Sequence, residues 1–437
     1  MDGNGDGGGN GDGQGVYWPR IVDDELDLLC SELPAVAVEG PRAVGKTETA
    51  LRRAATVHRL DDGDQLSIAL AEPSRLARGA PPILIDEWQR LPASWDVVRR
   101  AVDADPYTPR FLLTGSAGPA EPPTHTGAGR IVTVRMRPMA LSERGVCAPT
   151  VRLSDLLGGR RPRLEGAAPL GLADYAQQIV CSGFPAIRGR SPRGVRAYLD
   201  GYINRIAEHR LNEGSGTAGN RPALSRWMAA YAAATSTVAS FEKIRDAATP
   251  GESDKPAKAT AVGYRAALES LWLIEDVPAW LPTRNHLRRL ASAPQHHLAD
   301  PALAARLLGV DAEALLEGRS GAVAMPRDGT LLGGLFQSLV TLSVRAYAQA
   351  NEAKVFHLRT HGGEHEVDLI VQGLDGRVVA LEVKLGAVVA EDDTRHLRWL
   401  ADRIGPELAD AAVVTTGSEA YRRRDGIAVV PAALLGP

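Results

Sequence analysis

Eight consecutive residues, Gly40, Pro41, Arg42, Ala43, Val44, Gly45, Lys46 and Thr47, fit the pattern G-x-x-x-x-G-K-[ST]. Glycines let such a loop fold with its backbone N–H groups pointing inward at phosphate oxygens, and the helix that follows adds its positive end. Lys46 is spaced to reach the β- and γ-phosphates, and the Thr47 hydroxyl to bind Mg2+. Further along, Ile83-Leu84-Ile85-Asp86-Glu87 is an apolar run ending in two carboxylates. In the same chemistry Asp86 holds Mg2+, directly or through water, and Glu87 polarises the attacking water. A third apolar run, Phe111-Leu112-Leu113, ends in Thr114-Gly115-Ser116, where Thr114 and Ser116 are candidates to sense the γ-phosphate. Arg130 follows Gly129 and is a candidate for neutralising transition-state charge, in cis or across a subunit interface of a homo-oligomer. These motifs predict an ATPase with Mg2+ as cofactor.

A second set of reactive residues lies near the C-terminus. Glu366–Val371 and Arg377–Lys384 are apolar runs flanking a short Gly/Asp loop, which reads as a hairpin. With the turn centred between Leu374 and Asp375, Asp368 lies opposite Leu381 and next to Glu382. Glu382 and Lys384 are two apart and share a face. Two carboxylates and an ammonium are thus expected at one end of the hairpin.

The charge composition adds weight to both sets. Of 50 basic residues only six are lysines, and two of these are Lys46 and Lys384. In an arginine-rich chain, a retained lysine suggests a task for a compact ammonium that a planar guanidinium does not perform.

These residues need elements to position them. Strands are expected at 35–38, 83–85, 111–113 and 131–134, with helices at 22–29, 47–55 and 95–102, which predicts a parallel sheet with crossover helices over residues 16–165. Residues 166–300 read mainly as helix, broken at 214–220 and 250–256. A separate α/β unit follows over 301–437: a helix at 332–348, strands at 355–358, 367–371, 378–383, 411–414 and 427–430, and a helix at 395–403. Residues 1–15 contain eight glycines and read as a disordered tail. Leu268, Leu271, Ile274 and Val277 recur at helical spacing and are expected in the core. The His296-His297 pair reads as loop surface.

The ordered strings GPRAVGKT, LIDEWQRLP, LLTGSA and GRIVTVRMRPMALSE resemble those of bacterial and archaeal AAA-superfamily ATPases that carry a C-terminal domain of unknown function. The resemblance extends through Ser182-Gly183-Phe184-Pro185, residues 264–280, Asp300 and Gly334-Leu335-Phe336. It implies an ATPase core, a helical middle with a winged-helix-like element, and a restriction-endonuclease-like C-terminal fold. In such nucleases a D…E-x-K core binds Mg2+ and activates water, so Asp368, Glu382 and Lys384 match it. The acid expected on the preceding helix is replaced by Gln337, a weaker metal ligand.

Composition narrows the partners. Net charge is −3 with a pI near 6.4, so nucleic-acid contact requires a local patch. Arg188, Arg190, Arg193, Arg196, Arg205, Arg210, Arg221, Arg226, Lys243 and Arg245 outnumber five acids between 188 and 246, a local excess of five that suits DNA phosphates. No apolar run approaches the ~18 residues of a membrane span, and no signal peptide is evident. Cys30, Cys147 and Cys181 lack metal-ligand spacing and read as buried free thiols of a cytoplasmic protein. Two other outputs fit the same motifs: a nucleotide-controlled switch or scaffold binding a protein partner, and an ATP-regulated metal-dependent nuclease.

Overall fold

The computed structural model describes residues 17–116, 127–212, 221–249, 256–282, 292–317 and 330–437. The glycine-rich segment 1–15, the break expected at 214–220 and all but Pro256 of the break expected at 250–256 lie outside them. After α1 (Val22–Glu32), strands β1 (Ala35–Glu39), β2 (Thr56–Arg59), β3 (Ile83–Asp86), β4 (Phe111–Gly115) and β5 (Val132–Arg135) build one sheet in the order β2-β3-β4-β1-β5. All four ladders are parallel. Helices α2 (Lys46–Leu51), α3 (Gly63–Ala71) and α4 (Ala93–Ala104) lie in the connections.

Both faces of this sheet are covered, which is why its strands read as continuous apolar runs. Val36, Val38, Leu84 and Leu112 enter one core, and Ala35, Ala37, Ile83 and Leu113 enter another. The edge strand β2 and helix α3 were not expected. Thr56-Val57-His58-Arg59 has no apolar run because it lies at the sheet edge and is only half-buried. Helix α3 is capped by Asp62, whose side chain accepts from the N–H groups of Asp64 and Gln65.

A two-residue strand, β6 (Val151–Arg152), and the short helix α5 (Leu153–Leu157) lead into the helical middle. It comprises α6 (Leu172–Val180), α7 (Pro192–Asn212), α8 (Arg221–Ala233), α9 (Phe241–Ala247), α10 (Lys258–Ser270), α11 (Pro301–Leu307) and α12 (Ala312–Glu317). Leu268, Leu271, Ile274 and Val277 are buried as expected, yet α10 ends at Ser270 and Trp272 has a φ of 61°. Beyond it the chain is extended and bridges 274 to 298 and 277 to 295. That pairing overturns the surface reading of His296 and His297, each 1% exposed. His296 Nε2 lies 2.7 Å from the Ala239 carbonyl, and His297 Nε2 lies 3.0 Å from Gln295 Oε1. The three cysteines are free but half-buried, not buried.

Helix α13 (Thr330–Ala350) precedes a mixed sheet of β7 (Lys354–Arg359), β8 (Glu366–Gln372), β9 (Val378–Lys384), β10 (Leu408–Thr415), β11 (Tyr421–Arg422) and β12 (Ala428–Pro431). Its order is β11-β12-β10-β9-β8-β7, with α14 (Arg395–Ile404) after β9. Strand β13 (Leu435–Gly436) pairs with β6, so the chain end returns to the segment leaving the first sheet. No helix among the described residues is long and apolar enough to cross a membrane.

Candidate active site

The phosphate-binding loop leaves the C-terminal end of β1, where parallel α/β sheets bind ligands. Gly40 has a φ of 158°, and a Cβ there would stand 2.0 Å from the Met136 carbonyl oxygen, so the close approach of the chain following β5 requires glycine. Gly45, at φ 100°, adopts the left-handed conformation that starts α2. Lys46 is 5% exposed, and its Nζ donates to the carbonyl oxygens of Gly40 (2.8 Å) and Pro41 (2.7 Å). Burial pushes the Lys46 ammonium down to about 8, against the opposing pull of Glu87 and Asp86.

Register brings the other motifs to the same end. Thr114 lies level with Val38 on one side and with Asp86 on the other. The Thr47 hydroxyl donates to Asp86 Oδ1 at 2.8 Å, and the Thr114 hydroxyl donates to the same oxygen. A hydroxyl and a carboxylate, both hard oxygen donors, thus meet where Mg2+ would be held, and the residues fit that ion. Glu87 has φ 56° and ψ 44°, a left-handed backbone uncommon for a non-glycine residue. Its carboxylate accepts from Ser116 Oγ at 2.6 Å and from Gln89 Nε2. A cavity of about 680 Å3 opens over Lys46, Thr47, Glu87 and Ser116.

Arg130 is not part of this group. It precedes β5, and Val132 lies level with Val36, so Arg130 sits at the N-terminal end of a parallel sheet whose phosphate loop is at the other end. Five residues of strand at ~3.3 Å each separate the two. Its guanidinium is 48% exposed and pairs with Asp103 at 2.9 Å. A finger role in cis is thereby excluded, because the sheet is longer than the side chain.

The C-terminal residues do come together, through a register one residue away from the expected one. The β8–β9 loop closes with the Gly373 N–H donating to the Arg377 carbonyl at 3.0 Å, and Gly376 takes a φ of 84°. A five-residue loop is centred on Asp375, so Leu369, not Asp368, faces Leu381. Extending this pairing sets Asp368 level with Glu382, on one face. Gln337 Nε2 donates to Asp368 Oδ1 at 2.9 Å, the Val383 N–H donates to Asp368 Oδ2 at 2.8 Å, and Lys384 Nζ donates to Glu382 Oε1 at 2.9 Å. Burial raises both carboxyls, and at Glu382 the charge of Asp368 adds to it. Buried Glu382 Oε2 has no hydrogen-bond partner among the described residues.

Residues 32–144 match a family model described as an AAA domain. This match supports an AAA-type P-loop ATPase core. Residues 332–435 match a domain of unknown function (DUF4143), and residues 172–314 match another (DUF8612). The chain is also similar to uncharacterized proteins of Mycobacterium tuberculosis and Mycobacterium bovis. Each is 26% identical over 405 residues, which span 91% of this chain and 80% of the relative.

Three residues that support the AAA-type core were assigned no role from sequence. Gln89 belongs to the D-E-x-Q string and holds Glu87. Arg20 is buried before α1 and donates to Val44 O (2.7 Å), Arg137 O (2.8 Å) and Glu143 (3.0 Å), bracing the phosphate loop. Arg135, level with Glu39, lies 4.0 Å over the Trp272 ring, and burial lowers its guanidinium to about 10. Arg20 stands in no local pattern, and Arg135 lies within the GRIVTVRMRPMALSE string without a spacing that marks its role, so the fold reveals what both do.

Proposed function

We propose that this protein binds Mg·ATP through residues 40–47 and hydrolyses it. The observation that carries the reading is the convergence of Lys46, Thr47, Asp86 and Thr114 at the C-terminal ends of three adjacent parallel strands, with Glu87 at the rim. On binding, Lys46 exchanges two loop carbonyls for phosphate oxygens, which restores a partner of opposite charge to a buried ammonium. Thr47 and Asp86, already hydrogen-bonded to each other, would hold Mg2+, which would supply positive charge beside the phosphates. Glu87, fixed by Ser116 and Gln89, takes a proton from the attacking water or aligns it. Ser116, which lines the same cavity as Lys46 and Thr47, senses the γ-phosphate in this reading. Phosphate release measured beside nucleotide binding tests this: Lys46→Ala should abolish binding, and Glu87→Gln should bind but not turn over. Normal turnover in Glu87→Gln would overturn the assignment.

A second reading concerns the C-terminal cluster. We infer a restriction-endonuclease-like site in which Asp368 and Glu382 would hold Mg2+ or Mn2+ weakly, with Lys384 beside the attacking water. The unpartnered, buried Oε2 of Glu382 favours it, since a buried carboxylate oxygen without a donor is costly unless a cation meets it. DNA is the phosphodiester partner this chemistry suits. On α7, however, Arg196 and Arg205 are nine residues apart and so project from opposite sides of the helix, which breaks the basic segment into separate patches. ATP turnover with and without double-stranded, single-stranded and structured DNA separates this reading from a nucleotide-controlled scaffold, which predicts slow turnover indifferent to DNA.

A further inference from the structure

A second cavity, of about 320 Å3, lies in the helical middle and shares no lining residue with the one over the phosphate loop. It is enclosed by the end of α6, the start of α7, α11 and the first turn of α12. Its volume falls at the lower end of the ~300–1,000 Å3 typical of small-molecule sites. Val195, Leu199, Ala302, Ala305 and Val310, all buried, form an aliphatic floor, and no aromatic ring among the described residues lines it. The space exists because α11 presents Ala302 and Ala305 where larger side chains would fill it. The walls are locked together. Asp300, which caps α11, accepts from Ser182 Oγ and the Gly183 N–H just beyond α6, each at 2.7 Å, and Arg306 on α11 pairs with Asp200 on α7.

Most polar groups around the cavity are committed. Arg306 donates twice to the Asp200 carboxylate, at 2.5 and 2.8 Å, and Gln177 Nε2 donates to Cys181 Sγ at 3.1 Å. Asp311 Oδ1 accepts from the Ala314 N–H at 3.0 Å, and Glu313 is engaged as well. Two guanidiniums are not spent in this way. Arg196, exposed on α7, has no hydrogen bond or ion pair among the described residues. Arg190 hydrogen-bonds only through Nε, to the Ala186 carbonyl at 3.0 Å. Both belong to the basic run between 188 and 246, and here they stand over an aliphatic floor.

We propose that this cavity binds a small aliphatic anion, with its hydrocarbon body on the floor made by α7 and α11 and its carboxylate or phosphate head met by Arg190 and Arg196. A guanidinium fork matches either head. The aliphatic lining favours a chain over a flat ring, which gains most from aromatic neighbours. The site stands whether or not the protein hydrolyses ATP.

Calorimetric titration of the full chain with octanoate, octyl phosphate, octylamine and butyrate tests it. Octanoate or octyl phosphate should bind, and the tighter of the two identifies the head. Octylamine, with the same body and the opposite charge, should bind at least about tenfold more weakly than that anion. Butyrate should also bind at least about tenfold more weakly than octanoate, because each buried methylene contributes about fourfold. Ala305→Leu puts a larger side chain into the floor and should remove binding with the melting temperature unchanged or raised. Arg196→Ala, at an exposed position without a partner, should weaken binding of the anion about tenfold and keep the melting temperature. Wild type that binds neither anion overturns the proposal. So does octylamine binding as tightly as the anions, or an unchanged anion affinity in folded Ala305→Leu or in Arg196→Ala.

Discussion

Arg137, just beyond β5, donates a 2.5 Å hydrogen bond from Nη1 to Oε1 of Gln349, on the helix α13 that also presents Gln337 to Asp368. The two glutamines are twelve residues apart, about 18 Å along one helix. The same helix reaches the segment after β5 again, where Ser343 Oγ accepts from the Leu141 N–H and Tyr347 Oη from the Ser142 N–H. Gln349 Nε2 also donates to the Arg135 carbonyl and to Glu25. One rigid element therefore connects the strand beside the phosphate loop to the C-terminal carboxylates.

The junction should be stability-critical at Glu275. Its carboxylate receives Arg137 at 2.6 Å and lies 3.7 Å from Arg345, and these arginines hold its carboxyl well below the usual range against the cost of burial. A depressed folded value contributes stability above the unfolded pKa that is lost as pH falls. Glu275→Ala should cost about 3 kcal/mol, because it leaves buried guanidinium groups uncompensated. Urea denaturation at neutral pH measures this, and the gap between the variant and wild type should narrow in acid. A gap independent of pH would show that the ion pair is not the cause.

In the active site, Glu87→Gln should lower turnover by about 10²–10⁴-fold with ATP affinity kept. Gln89→Ala should lower it by less, since Gln89 touches Glu87 and not substrate, and Ser116 still holds the other carboxylate oxygen. A positioning role also predicts that Gln89→Ala changes kcat and leaves KM in place. If Gln89→Ala raises KM alone, the residue serves binding instead.

The motifs of the phosphate site were legible because each is local: a loop, an apolar run ending in acids, a strand ending in Thr-Gly-Ser. Their convergence was legible too, since parallel strands aligned by alternating helices bring those ends together. The cis role of Arg130 could have been set aside from sequence, because in a parallel sheet a residue just before a strand lies at the end opposite the phosphate loop. His296 and His297 looked like surface because their burial depends on pairing with residues about twenty positions away. At the hairpin, composition located the turn but not its centre, and one residue decides the facing partner. Arg20 left no local trace, and Arg135 left only its place in the GRIVTVRMRPMALSE string.

Arg130→Ala should leave ATP turnover unchanged in dilute protein, where its exposed pair with Asp103 is screened and far from the phosphates. Turnover would be followed over a wide range of protein concentration. A loss confined to high concentration would show that Arg130 completes the site of a neighbouring copy. A loss at every concentration would contradict its position at the far end of the sheet.

The last prediction concerns pH and metal at the C-terminal carboxylates. Burial, and at Glu382 the neighbouring Asp368, push the folded-state pKa values up, to about 8 for Glu382. A raised folded value means the contribution to stability is present below the unfolded carboxylate pKa and is lost as pH rises through the folded one. The melting temperature should therefore fall between about pH 5 and pH 8, and Glu382→Gln, which stays neutral, should flatten that fall. Mn2+ should raise the melting temperature of wild type most at the alkaline end, where both carboxylates are charged, and should not raise that of Glu382→Gln. Gln337→Glu adds a third carboxylate beside Asp368, so it should steepen the pH dependence and tighten Mn2+ binding, measured by calorimetry. Identical Mn2+ affinities for wild type, Gln337→Glu and Glu382→Ala would reduce the cluster to a structural ion pair between Lys384 and Glu382.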